Sequence, residues 1–357
     1  MSNNSHLSLS FVKHLPATLD FVLQTCGKRD MNANADIDVV RPSGLSALPP
    51  EFDSAVAWAA WLYYVDQLNQ SDVAKVMNVS RASVVHYLQE ARESGLVAVQ
   101  VDHDAFARTL TSRRLMEKYG LRGAAVIPDL DPNDADRRIG EAAGRLLASM
   151  VDPGDTIGVA WGKTVLAAAR SIPRLRHDRN LIVVQLSGSS IGTSDFSPEF
   201  CTSLMANRLG ARCINLLAPA IVSTDELHDK LMQEPMLVNQ FRMIRAAGKV
   251  IFGIGDIGPE STYARAGISD ADALAGMIEQ GALGVIIGRF IDAQGTAFAT
   301  PLDGRTVGIT LDELKAVPVR ICAAGGARKM AAIRAGLGGG YATHFVTDMA
   351  TANSLLE

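Results

Sequence analysis

The spacing of hydrophobic and polar positions changes near residue 106 of the 357-residue chain. Between residues 54 and 105, apolar residues recur at the spacing of amphipathic helices. From 106 to 357, short apolar runs rich in Val, Ile and Ala alternate with helical patterns. The change predicts a small helical domain at 54–105 and a larger α/β domain at 106–357. Residues 1–53 lack sustained periodicity and are expected to form a poorly ordered arm.

The first domain is predicted to contain three helices and a strand. An apolar helix over residues 54–68 is followed by a short helix that Ser71-Asp72 can cap. Ser80 is expected to cap a third helix, which Gly95 ends, and the sequence LVAVQV at 96–101 predicts a strand. This order is typical of a winged helix-turn-helix. The third helix is expected to turn Val84, Val85, Leu88 and Ala91 inward.

The larger domain is predicted to be a mostly parallel sheet with helices on both sides, in a Rossmann-like α/β arrangement. Its apolar runs look buried on both faces, which is typical of parallel strands. The predicted strands are GAAVIP, TIGVAW, LIVVQLSG, CINLLAP, KVIFGIG, LGVIIG, VRICAAGG and HFVTD.

Composition narrows the classes of function. The net charge of −4 gives no global signature of nucleic-acid binding. The helical domain adds none, since residues 56–100 hold three basic side chains against four acidic ones. The chain has no signal pattern and no apolar segment of about 18 residues, so we expect a cytoplasmic protein without a membrane span. Four scattered cysteines predict free thiols and no metal site: Cys26, Cys201, Cys213 and Cys322.

The third predicted helix offers candidate DNA contacts. Arg81, Ser83, His86 and Tyr87 are the outward positions near its N-terminus. Arg and Ser can hydrogen-bond base edges or phosphates, and His or Tyr can reach the backbone. The alternative is a small helical subdomain with no DNA-binding role.

One glycine loop suggests a dehydrogenase. Residues 250–260, VIFGIGDIGPE, contain the G-x-G-x-x-G spacing of a dinucleotide-binding turn. Such a turn needs a long helix that starts at the glycines, whereas the sequence after Gly258 is short and closed by Gly267. A dehydrogenase therefore stays a disfavoured alternative.

Other strand-end loops predict a ligand crevice. In TIGVAWGKTVLAAA, a strand runs into Gly162-Lys163-Thr164 at the start of a helix, where N–H groups, a hydroxyl and a lysine can hold an anion. A plain turn with a surface lysine is the alternative. Further loops follow at QLSGSS, GRFIDAQG and AAGGARK, and the carboxyl ends of parallel strands share one edge. The candidate effector-binding residues are Gly162, Lys163, Thr164, Gln185, Gly188, Gly255, Asp256, Asp292 and Lys329.

The helical segment from Leu62 to Val101 resembles the DNA-binding domain of the SorC family of bacterial sugar-responsive transcriptional regulators. The resemblance implies binding to double-stranded operator DNA. It adds Gln70, Ser80 and Arg92 to the candidate DNA contacts. The matching residues are Tyr63, Tyr64, Gln70, Val73, Ala74, Ser80, Arg81, Val84, Leu88, Ala91, Arg92 and Gly95.

The larger domain resembles the effector domain of the same family in GVAWGKT, GIGDIG, GALGVIIGRFIDAQG, AAGGARKMAAIRAGLGGG and FVTDMATANSLL, in that order. The resemblance implies the fold of sugar-phosphate isomerases and deaminases, a phosphorylated sugar or polyol as effector, no cofactor, and a homo-oligomer, commonly a tetramer. It implies a regulator of a carbohydrate operon, not an enzyme. The alternative is a sugar-phosphate isomerase with Lys329 as electrophile and Asp292 as base, which Val285, at a position usually acidic in the family, disfavours.

Overall fold

The chain divides into two compact units, Met1–Glu90 and Ala91–Glu357, each described here by itself. Most of the predicted arm and the core of the predicted wing strand lie outside the described residues, so the boundaries at 53 and 105 stay predictions. The computed structural model describes residues 48–97, 109–174, 179–189, 196–259, 261–265 and 271–357.

Three helical segments of the first unit follow the helix-turn-helix order. Helix α1 (Ala55–Ala60) continues into a π-helical turn at Trp61–Val65. Helix α2 (Gln70–Met77) is capped by Asn69, whose side chain accepts from the N–H groups of Ser71 and Asp72, so the prediction of a Ser71-Asp72 cap is wrong. It ends at Asn78 in the left-handed conformation, φ 54°, which makes the tight turn.

Helix α3 (Arg81–Glu93) confirms its predicted cap but corrects its inward face. The Ser83 N–H donates to Ser80 Oγ at 3.0 Å. Val84 and Leu88 are buried, but Val85 is 43% exposed and Tyr87 only 9%. The buried stripe follows the i, i+3, i+4 spacing of one helix face, which includes position 87 and leaves position 85 outside. Tyr87 is therefore a core residue.

The second unit is built on a seven-stranded sheet in the order β1-β10-β9-β5-β2-β3-β4, with every neighbouring pair parallel. Val159 lies opposite Gln185 on one side and Ile251 on the other. The predicted parallel sheet is confirmed. Its strands are β1 (Gly123–Ile127), β2 (Thr156–Val159), β3 (Ile182–Gln185), β4 (Arg212–Ile214), β5 (Lys249–Phe252), β9 (Val319–Ala323) and β10 (His344–Asp348).

Helices pack on both faces of this sheet. Val250 and Phe252 belong to one buried cluster and Ile251 to another, so strand β5 is covered on both sides. The α-helices that follow α3 in the described residues are α4 (Leu110–Tyr119), α5 (Ala135–Met150), α6 (Lys163–Ser171), α7 (Pro198–Leu209), α8 (Asp225–Met232), α9 (Pro235–Arg245), α10 (Thr262–Arg265), α11 (Ala271–Glu279), α12 (Leu311–Ala316), α13 (Met330–Gly338) and α14 (Met349–Leu356).

A second, antiparallel sheet contains the predicted LGVIIG strand, which does not join the main sheet. Strands β6 (Gly255–Asp256), β7 (Gly284–Ile286) and β8 (Arg289–Ile291) pair in that order. Ile287 and Gly288 connect β7 to β8 with φ values of 50° and 79°. Because this two-residue turn reverses the chain at once, β7 pairs with its neighbour β8 instead of crossing to a parallel strand.

Helices α5 and α6 meet backbone to backbone because α5 carries Gly140 and Gly144. A Cβ atom at residue 140 would lie 2.3 Å from Thr164 O, and one at residue 144 would lie 2.2 Å from Ala168 O. Only glycine fits at these two positions. The contact brings the first turns of the two helices together.

Within the part of the chain that the structure describes, no helix combines the length and apolar character needed to cross a bilayer.

We expect Gly140→Ala to lower the free energy of unfolding by about 1–3 kcal/mol, because the new methyl group must push the two helices apart. The matched control is Gly276→Ala in α11, where a Cβ meets no described atom within 4 Å and helix propensity favours alanine by about 1 kcal/mol. Urea denaturation measures both. Equal effects of the two variants would contradict close packing at Gly140.

Candidate functional site

A cavity of about 80 Å³ opens in the second unit where strands β2, β5 and β9 end. Trp161, Tyr263, Val285 and Ile287 supply its larger apolar walls. Asp136, Lys163, Thr164 and Lys329 add charged and hydroxyl side chains to this lining. A few charged groups set into apolar walls are typical of a small-ligand site.

The N-terminus of α6 forms one end of the cavity. Gly162 occupies the N-cap position with φ 121°, a conformation that side-chain-bearing residues rarely adopt. The first N–H groups of a helix have no partner within the helix, and the helix dipole makes this end positive. Lys163 lies in this first turn, is exposed and forms no ion pair with any described residue. The end of the cavity is therefore suited to an anion.

Asp136 joins two of the other polar side chains of the cavity, those of Thr164 and Lys329. Its Oδ1 accepts from Lys329 Nζ at 2.7 Å and from Thr164 Oγ1 at 3.2 Å. Lys329 lies in the 3₁₀ turn Ala327–Lys329 ahead of α13. The carboxylate orients one lysine and one hydroxyl, and two ammonium groups against one carboxylate leave the cavity positive.

Five predicted effector residues line this cavity: Gly162, Lys163, Thr164, Gly255 and Lys329. They come from the GKT, GIGDIG and GGARK loops, as a crevice at the carboxyl edge of the sheet requires.

The other predicted effector residues do not line the cavity. Gln185 is fully buried, where its Nε2 donates to Ser187 O at 2.7 Å and its Oε1 accepts from the Leu216 N–H. A Cβ on Gly188 would lie 2.3 Å from Pro219 O, so that glycine serves chain packing. Strand β3 ends at the same edge of the sheet as the cavity, but the amide group of Gln185 is hydrogen-bonded inside the protein.

Asp256 and Asp292 also have other partners. Asp256 pairs with Arg328 Nε at 3.1 Å, and Asp292 Oδ1 accepts from the N–H groups of Gln294 and Thr296 in its own turn. The structure thus corrects the prediction that Asp256 and Asp292 line the effector crevice. Lys329 contacts Asp136.

Sequence reasoning missed Asp136 and Tyr263. Asp136 lies in the first turn of α5, one helical turn ahead of Gly140, and the G-x-x-x-G spacing of α5 was the available signal for close helix packing. Tyr263 belongs to α10, which has four residues. Because α10 is so short and Gly255 pairs with Val285 in an antiparallel ladder, the G-x-G-x-x-G segment does not build the helix that a dinucleotide turn needs.

The candidate DNA contacts fall in the first helical segments of the chain. Arg81 Nε donates to Gln70 Oε1 at 3.3 Å, which leaves both Nη groups of Arg81 without a partner among the described residues. His86 and Arg92 are exposed, and Ser83 is half-buried. Tyr87 is buried, so the prediction that it faces outward as a DNA contact is wrong.

Known proteins resemble this chain over most of its length. The family model Sugar-bind, which describes a sugar-binding domain, matches residues 103–357. The Escherichia coli K12 protein named uncharacterized transcriptional regulator YjhU is 33% identical over 311 residues, 85% of this chain and 94% of that protein. The transcriptional regulator LsrR of Enterobacter sp. strain 638 is 28% identical over 90% of this chain and 98% of its own length.

A solved structure gives the same fold. The full-length sorbitol operon regulator SorC from Klebsiella pneumoniae superposes with a TM-score of 0.67 over 85% of this chain and 98% of that one, at 24% identity.

A sugar-binding α/β domain that follows a helix-turn-helix defines a sugar-responsive transcriptional regulator. The chain belongs to the SorC family of sugar-binding transcriptional regulators, since the domain model spans most of its residues and YjhU matches it across both units.

We expect Asp136→Asn to strengthen binding of inorganic phosphate about fivefold to tenfold at low salt, because it removes a negative charge from the cavity and keeps an oxygen acceptor for Thr164. Calorimetric titration measures the affinity. Asp134→Asn is the control, since Asp134 pairs with Arg137 and does not line the cavity. An equal gain in phosphate affinity for both variants would show that the net charge of the protein, and not the charge in the cavity, causes the change.

Proposed function

We propose that this protein regulates a carbohydrate or polyol operon by binding operator DNA through its helix-turn-helix and a phosphorylated sugar or polyol in the cavity. The observation that carries the proposal is the convergence of Lys163, Lys329 and the N-terminus of α6 on one cavity.

The phosphate group is proposed to lie at the α6 N-terminus. Lys163 supplies an ammonium group that pairs with no described carboxylate, and Gly162 allows an anion to approach the backbone N–H groups. Lys329, held by Asp136 at 2.7 Å, supplies the second positive charge. Lysine acts here as a point charge, which tolerates several phosphate orientations.

Helix α3 is proposed to read the operator. Arg81 extends its Nη groups from a position that Gln70 helps to fix, and this geometry suits a guanine edge or a phosphate. Ser80, Ser83, His86 and Arg92 are proposed as flanking contacts. Tyr87 stabilises the helix from inside the unit instead.

Regulation is proposed to occur in a cytoplasmic homotetramer. A ligand shifts an equilibrium only when it binds one state better than another, so the effector would favour one arrangement of subunits and one spacing of DNA half-sites. The cavity is proposed to bind its sugar phosphate without turnover. The lysine and carboxylate of the isomerase alternative, Lys329 and Asp292, are not brought together in it.

Lys163→Ala is expected to weaken binding of inorganic phosphate and of sugar phosphates at least tenfold, because a direct ion contact is lost. Operator affinity should change less than twofold. Calorimetry and fluorescence anisotropy measure the two affinities. Lys230→Ala, an exposed lysine of α8 away from the cavity, is the control. Unchanged phosphate affinity in Lys163→Ala would contradict the proposed anion site.

Arg81→Ala is expected to weaken operator binding about tenfold while affinity for unrelated DNA falls less, because a base contact carries specificity. Lys75→Ala removes the same charge from α2, where Lys75 already pairs with Asp72 at 2.8 Å. Anisotropy titrations at fixed salt compare the variants. Equal losses on operator and unrelated DNA for both variants would contradict base reading by Arg81.

A further inference from the structure

A second, smaller cavity adjoins the effector cavity. The two share Trp161, Tyr263, Ile287 and Gly288 as lining residues. The smaller one has a volume of about 10 Å³, close to the space that one small polar group occupies. Ser187 and Thr306 complete its polar lining.

Two residues that line this cavity carry buried hydroxyl groups with no hydrogen-bond partner among the described residues. Tyr263 is 2% exposed and Ser187 is 5% exposed, and neither hydroxyl forms a hydrogen bond with any described residue. Thr306 differs, because its Oγ1 donates to Leu302 O at 2.7 Å. A buried hydroxyl without a partner costs free energy, so the cavity favours a group that can both donate and accept.

A strained turn closes the cavity. Ile287 is a β-branched residue at φ 50°, in a two-residue turn where Asn is preferred. Arg289, next along the hairpin, fixes the turn by donating to Asp303 O at 3.1 Å and to Thr306 O at 3.0 Å. A turn of Asn and Gly would be less strained but would replace the apolar side chain of Ile287 at the wall of both cavities. The retained strain therefore points to a use for that side chain at the ligand site.

The charges in the small cavity differ from those of the effector cavity. None of the described residues that line it is basic or acidic. Burial raises the pKa of the Tyr263 phenol, so the group stays protonated and neutral. Arg289 is balanced by Asp303 at 3.2 Å. The small cavity is suited to an uncharged hydroxyl and not to a second phosphate.

We propose that the small cavity binds the uncharged end of the effector, with Tyr263 Oη and Ser187 Oγ hydrogen-bonded to one hydroxyl group. The effector class is then a singly phosphorylated sugar or polyol with a free hydroxyl at the end opposite its phosphate. This inference rests on the proposed function, which places the phosphate near Lys163 and Lys329.

The test compares Tyr263→Phe and Ser187→Ala, each of which removes one hydroxyl. The probes are inorganic phosphate, sn-glycerol 3-phosphate, D-ribose 5-phosphate, D-fructose 6-phosphate and D-fructose 1,6-bisphosphate, titrated by calorimetry into the full-length protein. We expect both variants to bind the best monophosphate about tenfold more weakly and to keep inorganic phosphate affinity within twofold. The wild type should bind the bisphosphate no better than inorganic phosphate.

The control is Thr347→Val. The Thr347 hydroxyl is also buried without a partner among the described residues, but Thr347 lines neither cavity. This variant should bind every probe as the wild type does. Wild-type affinity of Tyr263→Phe and Ser187→Ala for the monophosphates, or an equal loss for inorganic phosphate, would overturn the inference.

Two further measurements separate this inference from the proposed function. If the wild type binds no phosphate, the proposed anion site is wrong. Unphosphorylated ribose, glycerol and sorbitol then test the subsite alone. Binding of one of them that Tyr263→Phe abolishes supports the inference, whereas no binding of any of them overturns it.

Without ligand, Tyr263→Phe should leave the melting temperature unchanged or raise it, as Thr347→Val should. A lower melting temperature would show that the phenol already has a partner and would overturn the inference.

Discussion

The close contact between α5 and α6 is the constraint on which the effector cavity depends. Gly140 and Gly144 leave no side chain between the helices, so the first turn of α5 lies against the first turn of α6. Asp136 can then reach Thr164 and Lys329 together. The cavity thus depends on the packing of α5 against α6, which lets hydrogen bonds fix Asp136, Thr164 and Lys329 relative to one another.

The cavity divides its tasks between a charged end and an apolar end. The α6 N-terminus and two lysines make one end positive, which suits it to the phosphate group of the proposed effector. The hairpin at Ile287 closes the opposite side with an apolar wall and a strained turn. In the proposed function, recognition of one sugar among many falls to the uncharged end, where two buried hydroxyls have no partner among the described residues.

Local signals in the sequence predicted the features that depend on neighbouring residues. The strand–glycine–helix order placed Lys163 and Thr164 at a helix start, and Ser80 was recognisable as a cap. Features set by distant residues were missed. Asp136 reaches Thr164 only through packing of α5 on α6. Two local features were missed as well, since Asn69 caps α2 and Asp292 accepts from N–H groups of its own turn. On α3, Val85 and Tyr87 were assigned to the wrong faces, although the i, i+3, i+4 spacing from Val84 includes position 87 and excludes position 85.

The most direct test of the account is a fluorescence-anisotropy titration of the protein onto DNA from upstream of its own gene, repeated with each of a panel of sugar and polyol phosphates at one fixed salt concentration. We expect tight, sequence-selective binding whose midpoint is shifted by a singly phosphorylated compound, and no shift with Lys163→Ala. Weak binding that ignores DNA sequence and responds to no compound would contradict it.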